Sequence, residues 1–369
     1  MVVEVCDGDK LLSSVEANTN DDVALRIEST KLWSPESPYL YNIRVITATD
    51  DVSSYAALRK ISVTEPDEYG YKRLAQTNKK VFLMAPLDQG LWPDGLLTPP
   101  SEEAMVFDLV ETKALGFNSI RKHIKVEPDR WYYACDRLGI VVWQDMPAGD
   151  MDLRKGYWTG RYEWIDEDAR PRCEESMACY RKEWKEIIDA LYNHPCICIW
   201  VPFNEGWGQS NTVEISHWTA DYDPSRIVNP CSGGNFVKGM GGHILDMHHY
   251  PEPKVILTDK NFVNVLGEYG GIGMSVPGHK WQEDKDGNKN ESWGYTSTED
   301  IAQNTKLYVE YAQMLLNMVP QGYSSGVYTQ TTDVELEING LYTYDRKVLK
   351  MDKEAVRKAN EALTTVFDK

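Results

Sequence analysis

From residue 81 to 366 the chain alternates short apolar runs with longer segments of helical period, and this alternation restricts the fold more than any other feature. Runs of strand length fall at 81–87, 118–124, 140–144, 197–203, 227–230, 244–248, 263–267 and 326–331. Helical patterns fill 101–115, 128–138, 174–192, 213–220, 297–319 and 353–366. Ser101 is placed to cap the first helix, with Met105, Val106, Leu109 and Val110 on one face, and Gly139 stops the second. Ser297 and Asp300 suggest a capping box at the start of the fifth. Strand–helix alternation implies parallel strands, and eight of them fit a closed (β/α)8 TIM barrel. The alternative is an open doubly wound sheet. Neither GxGxxG nor GxxxxGK[ST] opens a helix after any strand, which removes the usual reason for that fold.

Residues 1–65 read differently. VVEVCDG, VALRIES, YLYNIRVITA and LRKISVT suggest four strands, broken at Asp-Gly, Asn-Asp and Ser-Pro. A free-standing immunoglobulin-type sandwich has about seven. The expected organisation is therefore an incomplete all-β immunoglobulin-like sandwich over 1–65, followed by an α/β barrel over 66–369. A net charge of −18 argues against nucleic acid or an anionic membrane as partner. There is no apolar run of about 18 residues, hence no membrane span, and no basic region followed by an apolar stretch at the N-terminus. The chain reads as soluble with no signal peptide visible. Its seven cysteines form no CxxC pair and no zinc-spaced cluster, so neither a disulfide nor a structural metal is expected. The segment EDKDGNKNES (283–292) resembles a calcium loop but carries lysine where the sixth-position glycine belongs, so it reads as a solvated polar loop.

In a barrel, reactive groups project from the carboxyl ends of the strands. The first strand here ends at Asp88, the second carries Arg121 and His123, and the third ends with Trp143 and Asp145. The fourth ends at Asn204-Glu205, the sixth at His248-His249-Tyr250, the seventh at Glu268, and the eighth near Gln330 and Asp333. One polar residue at a strand end means little. Polar groups at nearly every end imply a polar cavity, because burying them without partners is costly. Glu205 and Glu268, on the fourth and seventh strands, would face each other across the barrel mouth. Two carboxylates about 5–5.5 Å apart are what a retaining glycosidase needs, one as nucleophile and one as proton donor. Twelve Trp and twenty-one Tyr against seven Phe suit a ligand with both apolar and polar faces, such as a sugar.

The motifs PFNEGWGQ (202–209) and VLGEYGG (265–271) resemble glycoside hydrolase family 2, the family of β-galactosidases, β-glucuronidases and β-mannosidases. LWSPESPYLYNIRV (32–45) resembles the end of that family's immunoglobulin-like domain. FNSIRKHIKVEPDRWYYACDRLGIVVWQDMP (117–147) resembles its second and third barrel strands, and SGVYTQTTDVELEINGLYTYDR (325–346) its closing strand and loop. The resemblance covers essentially the whole chain. It implies a retaining exo-β-glycosidase with Glu205 as acid/base and Glu268 as nucleophile. It further implies that Asn204 binds the sugar 2-hydroxyl and that Arg121 keeps the nucleophile ionised. His248 and Tyr250 would be a His-x-Tyr pair beside that nucleophile. His123, His249, Asp88, Trp143, Asp145 and Gln330 are further candidates for sugar contacts.

The resemblance requires no cofactor, although some members bind magnesium or sodium. Three departures stand out: the family's first sandwich is missing, Arg-Lys-His replaces Arg-x-Ser-His, and Thr329 stands where a tryptophan often floors the sugar site. Trp207, Trp293 or Tyr328 would then have to supply the aromatic platform. The expected sugar is a β-galactoside. A β-glucuronide is the alternative and would need cations such as Lys122, Lys125 or Arg154. A catalytically inactive carbohydrate-binding barrel is the alternative of a different class. Another barrel hydrolase, metal-dependent, would need a His/Asp ligand set that the strand ends lack.

Overall fold

The computed structural model describes residues 1–150, 162–168, 172–282 and 291–368. Eight parallel strands form one sheet: Leu83–Asp88, Ser119–Lys122, Val141–Asp145, Ile197–Val201, Ile227–Val228, Ile244–His249, Val263–Gly270 and Tyr323–Thr329. Numbered along the chain, they run around the sheet in the order 5-4-3-2-1-8-7-6. Strands 5 and 6 meet through His243 N–H donating to Val228 O (2.8 Å) and Val228 N–H donating to His243 Nδ1 (3.0 Å). This is a nearly closed (β/α)8 TIM barrel, and the open doubly wound alternative falls. Helices Glu102–Ala114, Asp129–Leu138, Glu174–Leu191, Thr212–Tyr222, Ile301–Met318 and Lys353–Thr364 follow strands 1 to 4, 7 and 8.

Barrel strands are covered on both faces, which is why they read as unbroken apolar runs. Every residue of Ile197–Val201 is buried, and Trp200 packs edge-on against Trp184 of the preceding helix (centroids 5.6 Å). Each such side chain contributes roughly 1.5–3 kcal/mol when fully buried. Ser101 Oγ caps the first helix by accepting from Ala104 N, and Gly139 ends the second in the left-handed region (φ 71°). At the fifth helix the cap is Asp300, accepting from Gln303 N (2.8 Å), rather than Ser297. A carboxylate at the capping position also favours the helix's positive end.

Ahead of the barrel lies a four-stranded antiparallel sheet in the order Lys10–Glu16, Val2–Asp7, Tyr41–Ile46, Asp51–Ala56. The expected strand at 23–29 is not one. Its place is taken by Lys10–Glu16, which turns back on Val2–Asp7 at Gly8 (φ 61°), and by Asp51–Ala56. Ile61–Val63 leaves this sheet to pair with Leu74–Gln76 and Lys79–Lys80. All seven cysteines are unpaired. Among the described residues no helix is long and apolar enough to cross a membrane. Most of the 283–292 loop lies outside the described residues.

Candidate active site

Two register shifts aim the central side chains. Strand 6 slips against strand 7 between Met247 and His248, and strand 7 slips against strand 8 between Leu266 and Tyr269. Such irregularities redirect side chains at the rims of barrels. Two glycines make the room. A Cβ on Gly267 would lie 2.1 Å from Asp246 Oδ2, and one on Gly233 would lie 2.6 Å from His248 Nδ1. Past strand 4 the chain turns sharply: Glu205 itself is left-handed (φ 48°), and its N–H is held by Ser232 O (2.8 Å). That conformation costs a non-glycine residue on the order of 1 kcal/mol, and such strain gathers at functional sites.

Arg121, fully buried, is the hub. Its Nε and Nη2 donate to the two oxygens of Asp145 (3.2 and 2.9 Å), and Nη2 also to Asn204 Oδ1 (2.8 Å). Nη1 donates to Glu268 Oε1 (3.1 Å) and Gly267 O (3.1 Å). Burial works against the guanidinium charge, but Asp145 and Glu268 more than offset it and hold the group above its ordinary pKa. The other oxygen of Glu268 accepts from Tyr250 OH (2.7 Å), which itself accepts from Thr329 Oγ1 (2.6 Å). Burial, then the nearby Glu268 charge, pushes the Tyr250 phenol far up, so it keeps its proton and donates.

His248 bridges the two glutamates: Nδ1 lies 2.8 Å from Glu205 Oε1 and 3.4 Å from Glu268 Oε2. Carboxylate oxygens of Glu205 and Glu268 come within 4.8 Å of one another. Burial lowers the imidazole's proton affinity, but Glu268 and Glu205 outweigh it, so His248 sits above the ordinary histidine value. For Glu205 burial pulls upward and the His248 hydrogen bond downward, and the bond prevails. Behind His248, Nε2 meets Ser232 Oγ (2.8 Å), which donates to Asp246 Oδ2 (2.5 Å). Asp246 also accepts from Asn229 Nδ2 (2.7 Å) and Gly267 N (2.6 Å), and burial raises its pKa. Tyr162 OH donates to His248 O.

The remaining sequence candidates are dispersed. His123 Nδ1 reaches Asp145 Oδ2 (3.3 Å) at the edge of the cluster. Asp88 accepts from buried Lys122 (2.6 Å), away from the glutamates. Trp143 is enclosed in the core with its Nε1 unpartnered. His249 turns outward to Glu252 O (2.7 Å). Gln330 donates to Glu337 Oε2 (2.6 Å) and Asn339 Oδ1 (2.8 Å). Tyr328 is buried between Tyr269 and Tyr308 and is no sugar platform. The other two expected platforms, Trp207 (41% exposed) and Trp293 (40%), both reach solvent. Trp293 meets Tyr295 edge-on (5.3 Å), and Tyr295 stacks on Tyr250 (3.6 Å), so an aromatic stair descends to Glu268. Arg154 lies outside the described residues.

Glu205, His248 and Glu268 are also the one group of described residues whose donor atoms lie close enough to hold an ion. Magnesium takes oxygen ligands and sodium likewise. A set with an imidazole at its centre, and with both oxygens of Glu268 committed to Arg121 and Tyr250, does not fit either ion.

Residues 99–270 match the family signature described as "Glycosyl hydrolases family 2, TIM barrel domain", and residues 3–59 match "Glycosyl hydrolases family 2". The chain belongs to glycoside hydrolase family 2. Curated relatives include the β-galactosidase of Vibrio vulnificus (strain CMCP6), 26% identical over 227 residues, or 58% of this chain and 20% of that protein. The β-galactosidase of Lactococcus lactis subsp. lactis (strain IL1403) is 26% identical over 224 residues, 59% of this chain and 21% of its own. This chain therefore aligns with about a fifth of the length of those relatives. Among solved structures, a β-galacturonidase from Eisenbergiella tayi bound to galacturonate superposes with TM-score 0.67 at 18% identity, covering 98% of this chain and 66% of that one. A β-glucuronidase from Dictyoglomus thermophilum superposes with TM-score 0.70 at 15% identity, covering 98% and 64%. At those identities the likeness is one of fold. Within this family 2 site, sequence reasoning passed over Ser232, Asp246, Tyr162, Tyr295 and Glu337. Only Asp246 left a trace, as a charge inside the apolar run ILDMHH.

Proposed function

We propose that the chain is the catalytic portion of a retaining exo-β-glycosidase, with β-galactosides as the preferred class and β-glucuronides as the second. The observation that carries this is the approach of the Glu205 and Glu268 carboxylates to within 4.8 Å, one from the turn after strand 4 and the other from strand 7, where Arg121 holds Glu268 and the Asn204 that precedes Glu205. That spacing belongs with double displacement and leaves no room for the water of an inverting site, whose carboxylates stand about 6.5–9.5 Å apart. In this reading Glu268, aimed by Arg121 and Tyr250, attacks the anomeric carbon. Glu205 gives its proton to the departing oxygen, then takes one from the water that releases the sugar. Asn204 Oδ1 is occupied by Arg121, which leaves the amide N–H to donate to the 2-hydroxyl. Trp293 and Tyr295 offer the aromatic wall that Thr329 cannot. No step calls for a metal or organic cofactor, and carbohydrate is the partner.

The test uses nitrophenyl β-glycosides. Glu268→Ala is expected to lose at least ~10³-fold in kcat and to recover part of it with azide, which replaces the missing nucleophile. Glu205→Ala should retain far more activity on aryl glycosides, whose leaving group needs little protonation. Binding without turnover in the unmutated chain would favour the inactive carbohydrate-binding barrel.

A further inference from the structure

The cations at the strand ends are already spent. All five N–H groups of Arg121 are engaged, by Asp145, Asn204, Glu268 and Gly267 O. Lys122 is buried between Asp88 (2.6 Å) and Glu127 (2.8 Å), and Lys125 is tied to Glu127 (2.8 Å) and Gly90 O (2.6 Å). On the other side of the balance stands a carboxylate outside the proposed mechanism. Glu337 is fixed at both ends. Its backbone pairs with Val334 (2.9 and 3.1 Å), and its neighbours Leu336 and Ile338 pair with Trp293 (2.8 and 2.9 Å). Its Oε2 accepts from Gln330 Nε2 (2.6 Å). Gln330 is itself locked, its second N–H going to Asn339 and its oxygen accepting from Gln89 (2.8 Å). Gln330 follows Thr329, whose hydroxyl holds Tyr250 and through it Glu268. Glu337 bridges Trp293 in parallel register, and Trp293 meets Tyr295 edge-on (5.3 Å), so this residue sits at the aromatic wall that leads through Tyr250 to Glu268.

We propose that Glu337, held by Gln330, determines the sugar class: it accepts hydrogen bonds from the hydroxyls of a neutral hexose and turns away uronic acids. This inference rests on the glycosidase reading above and narrows its substrate to neutral β-hexosides. A uronate carboxylate entering here meets like charge and finds the described cations engaged, and such juxtaposition discriminates strongly between otherwise similar ligands. The solved structures that share the fold include enzymes named for uronic acids, so the fold alone does not supply this preference.

The experiment compares kcat/KM of the unmutated chain for nitrophenyl β-galactoside, β-glucoside and β-mannoside with that for the β-glucuronide and β-galacturonide. The best neutral sugar is expected to lead by about 100-fold or more. In Glu337→Gln the lead should shrink at least tenfold, a change that mere loss of folded protein cannot produce because it scales both substrates alike. A thermal unfolding scan checks that this variant folds. Independently of turnover or any variant, calorimetric titration of the unmutated chain should show neutral galactonolactone binding and the carboxylate-bearing saccharolactone binding at least tenfold more weakly. A uronide turned over within threefold of the best neutral sugar, an unchanged ratio in Glu337→Gln, or equal lactone affinities would each overturn the assignment. Absence of all turnover, with the lactone preference intact, would instead defeat the hydrolase reading and leave the pocket's selectivity standing.

Discussion

Glu205 and Glu268 are chemically the same group, and their partners separate them. Glu268 accepts from a permanent cation and from a phenol that keeps its proton, so both oxygens are held in place. Glu205 has His248 at 2.8 Å, and that imidazole competes for the proton an acid must deliver. In the resting site burial favours a protonated Glu205, but the His248 bond prevails, so the shared proton resides toward the imidazole. Ser232 donates to Asp246 and so offers its lone pair to Nε2–H, which fixes the ring. The pair then retains one proton up to the raised His248 value, and the alkaline limb of kcat/KM should lie above the ordinary histidine range of about 6.5. His248→Asn leaves Glu205 to hold that proton alone. Without the imidazole its affinity rises under burial yet stays that of a carboxyl, so the alkaline limb should move to lower pH. A pH–rate profile in which the limb stays put would show that His248 holds no part of the catalytic proton.

At the scale of elements, the N-terminal segment is bolted to the base of the barrel. Trp33 is fully buried within the barrel's own core cluster and donates from Nε1 to Asp136 O (2.7 Å). Tyr55 OH donates to Asp136 Oδ2 (2.7 Å), and Arg59 donates to the carbonyls of Pro195, Ile197 and Ser225 (2.9, 2.8 and 2.8 Å). Trp33→Ala should therefore cost about 3–5 kcal/mol by chemical denaturation, with Trp33→Phe losing much less. A loss under about 1 kcal/mol for Trp33→Ala would mean the segment is not part of the barrel's core. The same contrast explains what was legible in the sequence. Barrel strands, apolar on both faces, announced themselves as continuous runs, and the residues near their carboxyl ends gave Glu205, in the turn past strand 4, and Glu268, near the end of strand 7. Lys10–Glu16 was overlooked because it is largely exposed and mixes Leu with Ser, Lys and Glu, while 23–29 alternates like a strand but finds no partner. Asp246, Ser232 and Glu337 escaped because each acts through side chains from other segments, and no local pattern records such a convergence.

For the whole molecule the weak point is the seam between strands 5 and 6, where a side chain completes the ring. Strand 5 is only Ile227–Val228, and no ladder joins it to Ile244–His249. His243 N–H donates to Val228 O, and the imidazole Nδ1 accepts from Val228 N–H in place of a backbone carbonyl. That acceptor exists only while the ring is neutral. Burial first, and the nearby Lys72 charge second, lower its pKa, so the folded chain keeps His243 neutral where the unfolded chain would protonate it. A depressed folded value contributes stability in full above the unfolded pKa of about 6.5, and that stability is lost as pH falls toward the folded value. Thermal midpoints of the unmutated chain should thus decline between about pH 7.5 and 5.5 more steeply than those of His243→Asn, whose amide oxygen accepts without titrating. His243→Leu, which leaves the Val228 N–H unpartnered, should be destabilised at pH 7.5 by about 1–3 kcal/mol and share the flatter profile. If unmutated and His243→Asn chains lose midpoint in parallel across that window, the seam is not held by this imidazole.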